Sequence, residues 1–191
     1  ECALSGIKAH YGEETLLYYR RTFTLPEGFN QGRVLLHIGA ADQVAQVYVN
    51  GQLLSTHKGG YEAFSVDITA ALKDENVLEI CVRDDLKDQT FPYGKQTLKR
   101  GGMWYTPVSG IWQTVWLESV PETYIRKLSI ENRGTSVTIT TEPALDGKVT
   151  VNGLGEFDLE DGIVTITPEN PHLWSPENPY LYDFAVETEE D

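Results

Sequence analysis

Strand-like segments follow one another along this chain at intervals of about 8–12 residues, each closed by a turn signal. No segment carries the sustained apolar period of a long amphipathic helix. That pattern restricts the fold to an all-β sandwich or barrel. A Rossmann sheet, a TIM barrel or a helical bundle would each need several helices. Tyr18 to Leu25 shows the alternation plainly: Tyr19, Arg21, Phe23 and Leu25 share one face, and Tyr18, Arg20, Thr22 and Thr24 the other. Pro26-Glu27-Gly28 breaks it. Ala45 to Val49 runs into Asn50-Gly51, and Leu53 to His57 returns. Asn-Gly between apolar runs predicts a type I′ hairpin, because both central residues need positive φ. Val34 to Ile38, Phe64 to Ile68, Val77 to Val82 and Ile111 to Leu117 read as further strands, and Asp67 to Lys73 suits one helical turn with Asp67 or Thr69 as its cap.

Beyond Pro121-Glu122 the strands are shorter: Ile125 to Ile130, Val137 to Thr140, Val149 to Val151, Phe157 to Leu159, Ile163 to Ile166 and Tyr182 to Val186. Charge shifts at the same place. Residues 1–122 hold 11 basic and 15 acidic side chains, whereas residues 123–191 hold 4 and 14. The expected organisation is therefore two domains, 1–122 and 123–191. The sequence opens Glu1-Cys2-Ala3, with Met103 its only methionine, and stops directly after a strand-like run. The expectation is a piece of a longer chain that begins inside its first domain and lacks the closing strand of its second.

Lys and Arg number 15 against 29 Asp and Glu, a net charge of −14. This speaks against nucleic-acid or anionic-membrane partners, both of which require a basic patch. No run approaches the roughly 18 apolar residues of a spanning helix, and no signal-peptide pattern is present. Two cysteines, Cys2 and Cys81, are too few for a disulfide framework, so a reducing, cytoplasmic compartment is the cheaper assumption.

Catalytic signals are sparse. No Gly-x-Ser-x-Gly elbow occurs, and Cys81 lies within an apolar strand, where a thiol is inert. His10, His37, His57 and His172 show no metal-ligand spacing. Asp84, Asp85 and Asp88 lack the remaining ligands of a calcium loop and read as a solvated turn. The acidic run 187–191 reads as a solvated terminus. No cofactor or metal is expected. The long segment from Asp84 to Ser109 is different: it lacks periodicity yet is rich in aromatics, and connections of that length are usually functional. Its Tyr93, Lys95, Gln96, Arg100, Trp104 and Tyr105 form the candidate substrate-binding set, since sugar rings stack on aromatics while polar neighbours read their hydroxyls. The competing reading is that Trp104 and Tyr105 plug the end of the sandwich.

These segments, taken in order, resemble the N-terminal half of glycoside hydrolase family 2, the β-galactosidase and β-glucuronidase group. The likeness rests on Leu4-Ser5-Gly6-Ile7 before Tyr19-Arg20-Arg21-Thr22-Phe23, on Val49-Asn50-Gly51, and on His57-Lys58-Gly59-Gly60-Tyr61-Glu62-Ala63-Phe64. It continues through Asp67-Ile68-Thr69, Asn76-Val77-Leu78, Arg83-Asp84-Asp85, Gly94-Lys95-Gln96, Trp104-Tyr105 and the run Ser109 to Glu118. Asn170 to Tyr182 resembles the end of the family's second domain. The resemblance implies a jelly-roll (galactose-binding-like) β-sandwich followed by an immunoglobulin-like β-sandwich; the reading of the residues themselves adds that Trp112 and Trp116, four apart on one face of the strand Ile111 to Leu117, fill the first. It also implies a non-catalytic accessory region of a retaining β-glycosidase whose two catalytic glutamates sit on a TIM barrel outside this chain, so the chain alone is expected to be inactive. Carbohydrate and the parent's barrel are the implied partners. Where some relatives carry an acidic residue before the aromatic pair, this chain has Gly101-Gly102. Two alternatives stay open: an autonomous carbohydrate-binding module, and an interaction sandwich within a homo-oligomer.

Overall fold

The computed structural model describes residues 15–85, 90–97 and 101–191. Cys2, the Leu4 to Ile7 motif, His10, Asp88 and Arg100 lie outside the described residues. The chain divides into two compact units, Glu1–Ser119 and Val120–Asp191.

The first unit contains two main sheets. One has the order β1-β7-β4-β5, from β1 (Leu16–Phe23), β7 (Asn76–Arg83), β4 (Val44–Val49) and β5 (Gln52–Lys58). The other has the order β6-β2-β9, from β6 (Phe64–Asp67), β2 (Arg33–Ile38) and β9 (Val115–Val120). A short ribbon joins β3 (Ala41–Asp42) to β8 (Gly110–Ile111). Alternation places Val34, Leu36 and Ile38 of β2 and Ala45, Val47 and Val49 of β4 in one buried cluster with Ile80 and Val82 of β7. Burying side chains of this size contributes roughly 1.5–3 kcal/mol each. Tyr19 and Phe23 pack against that cluster from β1. An apolar groove of about 690 Å³ runs along β1 and β9, lined among others by Phe23, Leu36, Leu78 and Leu117.

The hairpin forms as its sequence dictates. Asn50 and Gly51 have φ of 53° and 81°, the positive values a type I′ turn requires. Asn50 also links the turn to the next crossing. Its Nδ2 donates to Ala71 O (2.7 Å) and Asn76 Oδ1 (2.9 Å), and its Oδ1 accepts from Val77 N (2.9 Å). Asn76, 1% exposed, accepts from Lys73 N and donates to Lys73 O, both at 2.8 Å. The expected helical turn is a single 3-10 turn, Thr69–Ala71, entered through Asp67, whose Oδ1 accepts from the Thr69 amide at 3.0 Å.

One assignment needs correcting. Trp112 and Trp116 do not fill the sandwich, since each is 46% exposed. The regular strand begins only at Val115, so a period of two cannot be extended back to Trp112. Within β9 it is Val115 and Leu117 that face the core, which turns Trp116 outward.

The second unit is a smaller sandwich. One sheet has the order β10-β11-β14, from β10 (Lys127–Arg133), β11 (Ser136–Glu142) and β14 (Ile163–Ile166). The other has the order β13-β12-β15, from β13 (Gly155–Leu159), β12 (Gly147–Val151) and β15 (Phe184–Thr188). Its core is Ile139, Val149, Val151, Leu159 and Ile166. The terminal acidic run is exposed but not merely solvated. Glu190 accepts from Thr123 N at 3.2 Å and Asp191 from Ile125 N at 2.8 Å, tying the last residues to the unit's first.

Candidate functional site

The long segment between β7 and β8 folds back on itself. Tyr105 N donates to Lys95 O (2.7 Å) and Thr97 N to Tyr105 O (3.1 Å), making a short parallel bridge between Gln96 and Tyr105. A tight turn closes with Trp104 N donating to Gly101 O at 3.2 Å. The ribbon presents its aromatics outward: Trp104 is 43% and Tyr105 64% exposed. They therefore do not plug the sandwich end. Tyr93 and Lys95 sit on the same described stretch.

Gln96 has a different position from the other candidates. Its Oε1 accepts from Val108 N at 2.5 Å, and its amide hydrogen-bonds the Asp42 carboxylate. It pins one arm of the loop to the other and both to β3. Asp42 and Asp84 are buried, at 6% and 4% exposure. Ser109 Oγ donates to Asp84 Oδ2 at 2.5 Å. The Asp42 carboxyl is raised from 3.8 to about 6: burial is the largest cause, the Asp84 charge adds to it and the Gln96 hydrogen bond partly opposes both. The reading of Asp84 as a solvated turn residue is thus overturned, because β7 delivers it beneath the folded loop. Among the described residues, no group of three or more His, Cys, Asp or Glu side chains is placed to hold a metal ion.

A second set of contacts anchors the aromatic rim. A side chain at Gly60 would place its Cβ 2.2 Å from Asp42 Oδ1, so only glycine lets this backbone lie against the carboxylate. Gly60 O in turn accepts from Trp112 Nε1 at 2.7 Å. Trp112 meets Tyr61 edge to face at 6.0 Å between centroids, a favoured aromatic geometry. Tyr61 remains 50% exposed. The loop region therefore combines exposed aromatics (Tyr61, Trp104, Tyr105, Trp112) with a buried polar base (Asp42, Asp84, Gln96, Ser109). Such a surface can stack a sugar ring. Sequence reasoning missed Asp42, Gly60 and Ser109; the one available signal was a lone acid, Asp42, set between two apolar runs.

Comparison with known proteins matches this architecture. Residues 7–130 match the family model described as glycosyl hydrolase 2 galactose-binding domain-like, and residues 119–191 match glycosyl hydrolases family 2. The chain is 29% identical to a β-galactosidase from Thermoanaerobacter pseudethanolicus, over 93% of the chain and 27% of that protein. It is 28% identical to a β-glucuronidase from Paenibacillus borealis, over 96% of the chain and 34% of that protein. A solved β-glucuronidase structure from Faecalibacterium prausnitzii superposes with a TM-score of 0.71 at 26% identity, covering 94% of the chain and 36% of that structure. The chain thus spans about a quarter to a third of the length of these relatives.

Proposed function

We infer function from one premise: this chain belongs to glycoside hydrolase family 2. We propose that it is the non-catalytic accessory region of a retaining β-glycosidase of the β-galactoside or β-glucuronide class. The observation that carries this reading is the tandem of two β-sandwich units, matched in family order, in a chain that spans 27% and 34% of two enzymes of that class. In this reading the jelly-roll domain runs to about residue 122 and the immunoglobulin-like domain follows. Catalysis belongs to a barrel elsewhere in the polypeptide, where one glutamate attacks the anomeric carbon and a second protonates the leaving oxygen and then activates water.

The first unit's part is to lend its long loop to the rim of that barrel's site. Trp104 and Tyr105 offer ring faces to the sugar or aglycone, and Tyr93, Lys95 and Arg100 supply polar contacts. Gln96 holds the loop in shape. With Gly101-Gly102 before the aromatic pair, contact from this turn is made by stacking and backbone groups rather than by a carboxylate. The test is the surrounding open reading frame. Two glutamates at strand ends of a downstream barrel are expected, and a frame that encodes no barrel contradicts the proposal.

A further inference from the structure

The outer face of the β6-β2-β9 sheet carries a polar row that the accessory role does not use. His37 of β2 lies opposite Ser65 of β6. The Ile68 N–H bond to Val34 O, at 3.0 Å, sets the alternation so that this is a non-hydrogen-bonded pair, the kind in which side chains come closest. On the other flank Gly39 N donates to Thr114 O at 2.9 Å. Two residues along each strand from that bond, His37 and Trp116 are neighbours. Their rings stack at 4.8 Å between centroids and 17° between planes.

His37 is fixed at both nitrogens. Its Nδ1 is 2.7 Å from Ser65 Oγ and its Nε2 2.7 Å from Glu118 Oε2. The imidazole cannot swing without losing both bonds, so one face of the indole is backed by a locked, nearly parallel ring. Trp116 is nevertheless 46% exposed. Its outward neighbours Leu35 and Val120 are each only 6% exposed, and Arg33 pairs with Asp67 at 2.9 Å further along the face. Among the described residues Trp116 is therefore the one large apolar side chain this sheet face exposes. A lone indole framed by ionised and hydroxyl groups is not the broad apolar core that a protein partner buries. It has the chemistry of a sugar platform: a ring face for pyranose C–H bonds, with the Glu118 carboxylate two residues along the same strand. Preorganisation by His37 lowers the entropic cost of using it.

Ser65, His37 and Glu118 also stand in the order of an acyl-transfer relay. Here Ser65 and Glu118 hold the His37 ring in place.

We propose that Trp116, backed by His37 and followed on the same strand face by Glu118, is a carbohydrate-binding platform separate from the long loop. An open face of this kind suits internal residues of an extended β-linked glycan, which presents flat pyranose faces, rather than a chain end. The test uses the full 191-residue chain carrying fluorotryptophan at its four Trp positions, titrated with cellotetraose, xylotetraose and β-1,4-galactotetraose and followed by fluorine NMR. The resonance missing from Trp116→Phe is expected to shift with at least one glycan. Trp116→Ala should weaken that binding about tenfold or more, Glu118→Gln should weaken it less, and Trp174→Ala, an exposed tryptophan of the second unit, should leave it unchanged. Circular dichroism checks the fold of each variant, and the Glu118→Gln titration carries the test if Trp116→Ala does not fold. The proposal is overturned if no glycan moves the Trp116 resonance. It is also overturned if only the Trp104 resonance responds, or if folded Trp116→Ala or Glu118→Gln binds as tightly as wild type.

Discussion

Two connections in the first unit are stitched to its sandwich by buried polar groups, and they differ in kind. The Asn50–Asn76 junction uses neutral amides only, and each amide oxygen and nitrogen described there has a partner between 2.7 and 2.9 Å. The base of the long loop instead buries two carboxylates, Asp42 and Asp84, and joins them to Gln96 and Ser109. Neutral networks stabilise because every desolvated group is matched. A buried carboxylate beside another carboxylate costs stability once ionised. The hairpin junction therefore serves the fold, whereas the loop base trades stability for a fixed shape beneath an exposed aromatic rim.

Breaking the neutral junction should have the largest effect. Asn76→Ala leaves the Lys73 amide and carbonyl and one Asn50 donor unmatched in a buried site, and should destabilise the first unit by about 3 kcal/mol in urea unfolding. A loss below about 1 kcal/mol would remove the contrast.

The carboxylate base should respond to pH, with the opposite sign for its mutation. Asp42 binds its proton more tightly folded, at about 6, than at its ordinary value of 3.8. Its contribution to stability is thus full below about 4 and is lost as pH rises through about 6. Asp42→Asn cannot ionise and retains an acceptor for Gln96. It should be about 2 kcal/mol more stable than wild type at pH 8 and should show no such advantage at pH 4. Parallel stability–pH curves for the two proteins would show that Asp42 is not electrostatically strained.

The rim itself should contribute least. Trp104 is 43% exposed, so Trp104→Ala should change unfolding free energy by no more than about 0.5 kcal/mol. A larger loss would make Trp104 a packing residue and weaken the case for a binding rim.

The same contrast governs what was legible in the sequence. Asn50-Gly51 announces its hairpin because the turn's φ requirement is local. The alternation of β1 separates its two faces for the same reason. The Trp112–Trp116 assignment failed because a spacing of four implies a shared face only inside one continuous strand, and β9 starts at Val115. Asp84 was misjudged because its burial depends on Asp42, Gln96 and Ser109, which reach it from distant parts of the chain. Glu190 and Asp191 likewise read as a polar tail, and only folding brings them to the Thr123 and Ile125 amides. The candidate loop residues were visible as a composition, an aromatic and polar stretch without period. Their division into exposed rings and a pinning Gln96 was not, since that depends on which backbone groups of the loop pair.

The central proposal is that this chain supports glycoside hydrolysis without performing it. The most direct measurement is turnover of nitrophenyl β-galactoside and nitrophenyl β-glucuronide by the purified 191-residue chain. No release of nitrophenol above the uncatalysed rate is predicted. Saturable turnover that copurifies with the chain would contradict the account.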